Sequence, residues 1–308
     1  MAVENVTGAD IFAMLPENCI ANALSMTTPK DACRLSLVAS NFHSAAQFDA
    51  VWERFLPPDY RDLVSRATNA GDLLAFTSKK DLYFYLCDHP VIIDCGAKSF
   101  SLDKTSGKKC YMLAARSLDI AWGNDARYWR CLSLPGSRFS EVNELLHVWW
   151  FEIRGKISTK MLSPDTNYAA YLVFRVRANI YGFESQPVDA LVRIIGQEAV
   201  TRIVYLDPKK VLVRPRTKLG PWELDPDEAE RSWRMGQLGH RQTGQNANPP
   251  PDGEHPKGRG DKWMEVELGE IFIRGSEEED WVEISLMEVH GGQPKGGIIV
   301  QGIEIRPK

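Results

Sequence analysis

Several features common in other classes of protein are missing from this sequence. No apolar run approaches the roughly 20 residues that a helix needs to cross a bilayer, so we expect no membrane partner. Basic residues are not in excess: 37 Lys and Arg stand against 41 Asp and Glu, with a net charge of −4. Nucleic acids favour a basic balance, so none is expected as a partner. The chain begins without a basic and then apolar segment, and we therefore expect the cytoplasm and nucleus.

Motifs for chemistry are also scarce. The six cysteines have no C-x-x-C spacing and no clustered histidine, which argues against a zinc site. The sequence contains no nucleophile next to a base and no glycine-rich loop of the phosphate-binding kind. We therefore expect no catalytic residue, no cofactor and no metal, and a protein that is not itself an enzyme.

What the sequence does contain is a helical block over residues 15–56. Leu15-Pro16 is predicted to open the first helix, and Thr28 is predicted to cap the second at its proline. Two prolines after Leu56 end the block. Its apolar residues outnumber what a small helical hairpin can bury. The block therefore either packs on the following domain or docks on another protein.

The rest of the chain divides by its periodicity. Residues 59–97 are predicted to be a helical spacer, with Ser78 as a cap. From residue 98 apolar residues alternate with period two, as in strands with one polar face, which favours an antiparallel sandwich or barrel. The clearest alternating segments are 99–102, 109–113, 149–154, 170–176, 191–195, 202–206, 263–268, 282–286 and 303–305. Residues 236–262 are rich in Gly and Pro and are predicted to be a mobile loop.

One stretch, residues 118–129, places tryptophans on both sides of a polar turn. Trp122 precedes Gly-Asn-Asp and Trp129 follows it. Two indoles at a loop end can stack on the C–H faces of a sugar while carboxylates and amides bind its hydroxyls. The alternative is that both tryptophans belong to the core, as large aromatic residues often do in sandwiches.

The helical block resembles an F-box. The similarity is carried by Leu15-Pro16, Pro29-x-Asp31, Leu35-x-x-Val38-x-x-x-Phe42 and Val51-Trp52-x-x-Phe55. It implies docking on the Skp-type adaptor of a cullin-based ubiquitin ligase. The residues expected to bind the adaptor are Leu15, Pro16, Ile20, Leu24, Leu35, Val38, Val51 and Trp52.

Residues 98–308 resemble the phloem-lectin (Nictaba-like) family, and the whole chain resembles plant F-box proteins of that type. The matching segments are SGKKCYMLAARSLDIAWGNDARYW, GKISTKMLSPDTNYAAYLVFRV, DKWMEVELGEIF and LMEVHGGQPKGGIIVQGIEIRP. The resemblance implies a jelly-roll β-sandwich that binds glycans, with Trp122, Trp129 and Glu288 at the sugar. By the same register Trp281 replaces the family's second acidic residue, so one carboxylate is expected to be missing.

Together these features predict an α+β multidomain protein, with an all-α F-box module at 1–58, a spacer at 59–97 and the sandwich at 98–308. The expected function is the substrate-recognition subunit of a Skp–cullin–F-box ligase, whose sandwich captures a glycoprotein or a protein. The alternative is a cytosolic or nuclear lectin, or a protein-interaction module, that acts without ubiquitination.

Overall fold

The computed structural model of the chain describes residues 15–184, 186–198, 200–208, 252–275 and 278–308. The chain folds as two compact units, which divide in the sequence between Tyr111 and Met112. No division falls after residue 58 or 97. The predicted boundaries therefore differ from the units that the fold forms.

The described part of the first unit contains seven α-helices. Their bounds are Glu17–Ser25 (α1), Pro29–Leu35 (α2), Ser40–Ala45 (α3), Asp49–Phe55 (α4), Tyr60–Ser65 (α5), Ala70–Leu74 (α6) and Lys79–Asp88 (α7). Both predicted caps are confirmed. The side chain of Thr28 accepts a hydrogen bond from the backbone N–H of Asp31 at 3.1 Å, and Ser78 accepts one from Asp81 at 3.2 Å. Each cap pairs one of the backbone donors that the first turn of a helix leaves unpaired.

The core of the first unit forms around Trp52 on α4. This indole is completely buried and donates from Nε1 to the carbonyl of Ala46 at 2.7 Å. Its ring lies 5.2 Å from that of Tyr83 and 5.1 Å from that of Phe84, both on α7. The stretch interpreted as a spacer therefore packs against the helical block, because burying these aromatic faces together is more favourable than extending α7 into water.

The first unit ends in strands. β1 (Val91–Ile93) and β2 (Lys98–Leu102) pair antiparallel, and a turn after β2 leads into β3 (Lys109–Ala114), in which the sequence passes from the first unit to the second. The ammonium group of Lys109, whose side chain is almost buried, pairs with Asp59 at 3.1 Å. This ion pair joins the strands to the helices within the first unit.

The second unit contains two antiparallel sheets. After β3, its strands are Asp119–Ile120 (β4), Trp129–Leu132 (β5), Val142–Leu145 (β6), Phe151–Ser158 (β7), Thr166–Tyr181 (β8), Val188–Ile194 (β9), Thr201–Val204 (β10), Lys257–Gly258 (β11), Met264–Ile273 (β12), Trp281–Glu288 (β13) and Gly296–Pro307 (β14). In one sheet they follow the order β3-β14-β8-β12-β11, with β6 beside β14 and β5 beside β6. In the other the order is β10-β9-β13-β7-β4. The prediction of a helical N-terminal region followed by a largely antiparallel sheet domain is confirmed.

The two sheets face each other across the core of the second unit. A Cβ added at Gly155 on β7 would lie 3.1 Å from Leu113 and 3.3 Å from Ile303, which belong to the other sheet. Glycine at this position lets the sheets approach closely.

Three guanidinium groups surround the nearly buried carboxylate of Glu304 on β14: those of Arg138 at 2.8 Å, Arg259 at 2.6 Å and Arg306 at 2.8 Å.

The predicted mobile loop is only partly described. Residues 236–251 lie outside the described residues, whereas 252–262 include β11. The backbone of Glu254 accepts from the N–H of Tyr205 and donates to Ile203, both at 2.9 Å.

Among the described residues no helix is long and apolar enough to cross a membrane, and no group of three or more His, Cys, Asp and Glu is placed to hold a metal.

Candidate functional site

The aromatic turn connects β4 to β5 at one end of the second unit. It is closed by backbone hydrogen bonds from Gly123 to the carbonyl of Ile120 at 2.8 Å and from Asp125 to that of Trp122 at 2.9 Å. Trp122 has φ +60°, a conformation that bulky residues rarely adopt, so the surrounding turn must hold it there. The turn thereby directs the indole outward.

Trp122 provides an open aromatic face, with 58% of its surface exposed. Its ring centroid lies 5.8 Å from that of Tyr128. Next to them the carboxylate of Asp125 accepts hydrogen bonds from Nε and Nη2 of Arg127 and from the backbone N–H of the same residue, which lower the pKa of Asp125 to about 2. The turn therefore presents an indole beside an ion pair at neutral pH.

Trp129 is a core residue. Only 3% of its surface is exposed, and its Nε1 donates to the carbonyl of Ala121 at 3.1 Å. A ligand cannot stack on this ring in the described conformation. The expectation that both tryptophans contact a sugar is corrected for Trp129, because the turn buries the second indole while it exposes the first.

Glu288 is also occupied by the protein itself. Its carboxylate accepts from the backbone N–H of Gly291 at 2.6 Å and forms an ion pair with Lys295, which is completely buried. Lys295 further donates to the carbonyls of Trp149 at 3.1 Å and Gln293 at 2.8 Å. Glu288 thus holds the turn between β13 and β14 in place and has 6% of its surface exposed.

Trp281 lies far from this end of the unit. Trp281 is the first residue of β13 and Glu288 is the last. A strand rises about 3.3 Å per residue, so the two residues lie roughly 23 Å apart. Residues seven apart on a strand also point to opposite faces of the sheet. Position 281, which the resemblance matches to the family's second acidic residue, therefore does not share a site with Glu288 in this structure.

Two further exposed tryptophans lie at the same end as Trp122. The backbone N–H of Ala121 donates to Glu152 at 3.0 Å, and Phe151 is paired with Glu288. Trp149 and Trp150 immediately precede β7 there, with 58% and 51% of their surfaces exposed. Sequence reasoning passed over both and assigned them to a strand. Two adjacent tryptophans are a usable signal, since alternation prevents a strand from burying both in one core.

The residues expected to bind an adaptor separate into two groups in the first unit. Four are buried and build its core, so the expectation that they contact an adaptor is corrected in the described conformation: Ile20, Leu24, Val51 and Trp52. The others have exposed surface: Leu15, Pro16 and Val38 are exposed, and Leu35 is half-buried. Leu37 belongs with the second group, because 84% of its surface is exposed. Sequence reasoning did not select it.

Comparison with known proteins defines the class. Residues 108–307 match the family Phloem protein 2. F-box protein PP2-B1 of Arabidopsis thaliana is 40% identical over 99% of this chain and 92% of its own length. F-box protein PP2-B10 of the same plant is 39% identical over 96% of this chain and 94% of its own length.

The chain therefore belongs to the phloem protein 2 family, and specifically to its F-box PP2-B proteins. Among solved structures, TmCBM61 in complex with beta-1,4-galactotriose aligns with a TM-score of 0.29 and 9% identity, covering 63% of this chain and 91% of that one. That value is too low to support a conclusion about fold or ligand.

Proposed function

We propose that this protein is the non-catalytic substrate-recognition subunit of a Skp–cullin–F-box ubiquitin ligase. The first unit would act as the F-box and dock on the Skp adaptor, and through it on a cullin. The second unit, a jelly-roll sandwich of the phloem-lectin type in this proposal, would hold the target. Positioning of the target next to the ubiquitin carrier then replaces a bimolecular encounter by a high local concentration.

The observation that carries the adaptor proposal is the exposed apolar group of the first unit. Leu15 has 41%, Val38 70% and Leu37 84% of their surface in contact with water, although neighbouring leucines and isoleucine fill the core. Exposed large apolar side chains in a small helical region are typical of a protein interface. The names of the F-box relatives support the same partner.

The proposed location is the cytoplasm and nucleus. None of the six cysteines, all of which lie in the described part of the chain, forms a disulfide, and three of them, Cys19, Cys95 and Cys131, are exposed. Free thiols are typical of the reducing compartments in which this adaptor would work.

The test is co-purification of the full chain with a plant Skp adaptor. Leu15→Asp/Val38→Asp should abolish binding while leaving the melting temperature unchanged, because both side chains are exposed. Two lost contacts of at least about 1.5 kcal/mol each correspond to a loss of affinity of more than about a hundredfold. Leu74→Asp is the matched control, since Leu74 is exposed by 63% in the same unit. Unimpaired binding by the double variant would refute the adaptor role.

For the second unit we propose glycan recognition at the end that carries Trp122, where an exposed indole offers a stacking face. The other candidate function of the second unit is recognition of a protein surface, with or without ubiquitination. If the second unit is a lectin, Trp129 supports the aromatic turn through its hydrogen bond to Ala121, and Glu288 supports the end of β13 through its hydrogen bond from Gly291. A glycan array probed with the full chain separates the two candidates, because a domain that recognises only protein surfaces binds no glycan, and Trp122→Ala tests whether this indole is the stacking face.

A further inference from the structure

A cavity of about 290 Å³ opens on the second unit near Glu288. None of its lining residues is among those expected to bind a sugar. The cavity is lined by Tyr181, Gly182, Glu184, Gln186, Gln293 and Pro294.

The wall at Gln293 and Pro294 is held by the buried ion pair. Lys295 donates to the carbonyl of Gln293 while it pairs with Glu288, so this turn is anchored from within. A Cβ at Gly291 would lie 2.7 Å from a carboxylate oxygen of Glu288 and 2.8 Å from the amide oxygen of Gln186. The side chains of Glu288 and Gln186 therefore both approach the backbone of Gly291 closely.

The opposite wall is positioned by Tyr181. Its hydroxyl donates to the carbonyl of Leu146 at 2.9 Å and lies 3.0 Å from Nδ1 of His147. The His147 ring lies 6.3 Å from that of Tyr181 and 6.4 Å from that of Trp149, between centroids. Aromatic rings therefore continue from the cavity wall to an exposed indole.

The lining selects a neutral polar ligand. It offers two amides and the carboxylate of Glu184, which repels anions. The nearby ammonium of Lys295 is already shared among three protein acceptors. A hard metal cation takes about six or more oxygen ligands, whereas the lining offers one carboxylate, which already accepts from the backbone N–H of Gly182 at 2.8 Å. Amides and a carboxylate beside aromatic rings match the hydroxyls and C–H faces of a saccharide.

We propose that this cavity binds one residue of a neutral oligosaccharide and that the next sugar stacks on Trp149. The inference deepens the lectin version of the proposed function and does not depend on the ligase. The proposal places the ligand among the lining residues Gln186 and Gln293, away from the buried Trp129.

The experiment is an array of neutral oligosaccharides probed with the labelled full chain, followed by calorimetric titration with the glycan that binds best. Trp149→Ala and Gln293→Ala should each weaken binding about tenfold, which corresponds to about 1.4 kcal/mol. Both side chains are exposed, so the melting temperature should not change. Trp281→Ala is the matched control: an exposed indole at the far end of β13, whose removal should leave affinity unchanged.

Wild-type affinity in Trp149→Ala and Gln293→Ala would overturn the proposal. A loss confined to Trp122→Ala would also overturn it, because the saccharide would then lie on the turn. Absence of any array binding would overturn this site and the lectin version together, while adaptor co-purification would still report separately on the receptor role.

Discussion

The buried pair of Glu288 and Lys295 allows a decisive test of what Glu288 does. The resemblance to the phloem lectins predicts that this carboxylate contacts a sugar. In the structure it faces a fully buried ammonium and closes the turn that forms one wall of the cavity. We predict that Glu288→Gln and Lys295→Met destabilise the second unit, and that any loss of glycan binding follows from this.

The expected cost comes from burial. Removing one partner of a buried ion pair typically costs about 3–5 kcal/mol, because the remaining charge is left without compensation. Lys295→Met also removes the donor to the carbonyls of Trp149 and Gln293. At about 2–4 °C per kcal/mol for a domain of this size, each variant should melt roughly 6–20 °C below the wild type.

The assay is thermal unfolding followed by tryptophan fluorescence, with urea titrations of both single variants and Glu288→Gln/Lys295→Met. Because the two groups are partners, the double variant should cost less than the sum of the single variants, by about 1–3 kcal/mol. A Glu288→Gln protein that melts within about 1 °C of the wild type but fails to bind glycan would refute this reasoning. Glu288 would then be a ligand contact.

A further prediction concerns Glu304 in the second unit. Burial alone would raise the pKa of Glu304, but the three guanidinium groups around it outweigh burial and lower that pKa to about 2 from 4.5. The resulting stabilisation is about 3 kcal/mol, at about 1.36 kcal/mol per unit of pKa shift; it is present above pH 4.5 and is lost as the pH falls towards 2. In urea titrations the difference in unfolding free energy between the wild type and Glu304→Gln should therefore shrink over that pH range. A difference that stays constant would contradict this prediction.

Much of the architecture follows from local patterns in the sequence. The caps at Thr28 and Ser78 depend on side chains and backbone donors only three residues apart, and period-two alternation marks strands wherever one face is buried. The domain boundary was harder to predict. The packing of Trp52 on Tyr83 and the ion pair of Lys109 with Asp59 join distant segments, and local periodicity carries no information about such contacts.

The aromatic turn marks where sequence reasoning about the site ends. Trp122 and Trp129 are the same residue type on either side of one turn, and composition cannot tell which is exposed. The difference arises from the positive φ of Trp122 and from the carbonyl of Ala121, which accepts the buried indole's hydrogen bond. Both are consequences of tertiary structure.

Strand geometry changes the meaning of Trp281. At the sequence level, tryptophan in place of an acid removes one of the two carboxylates that the resemblance places at the sugar. Trp281 and Glu288 are seven residues apart on one strand, so their side chains point to opposite faces of the sheet and cannot line a common site. Trp281 is therefore not an argument against glycan binding. The choice between a glycan and a protein target depends instead on the exposed Trp122 and Trp149 and on the cavity beside Glu288, at the opposite end of β13.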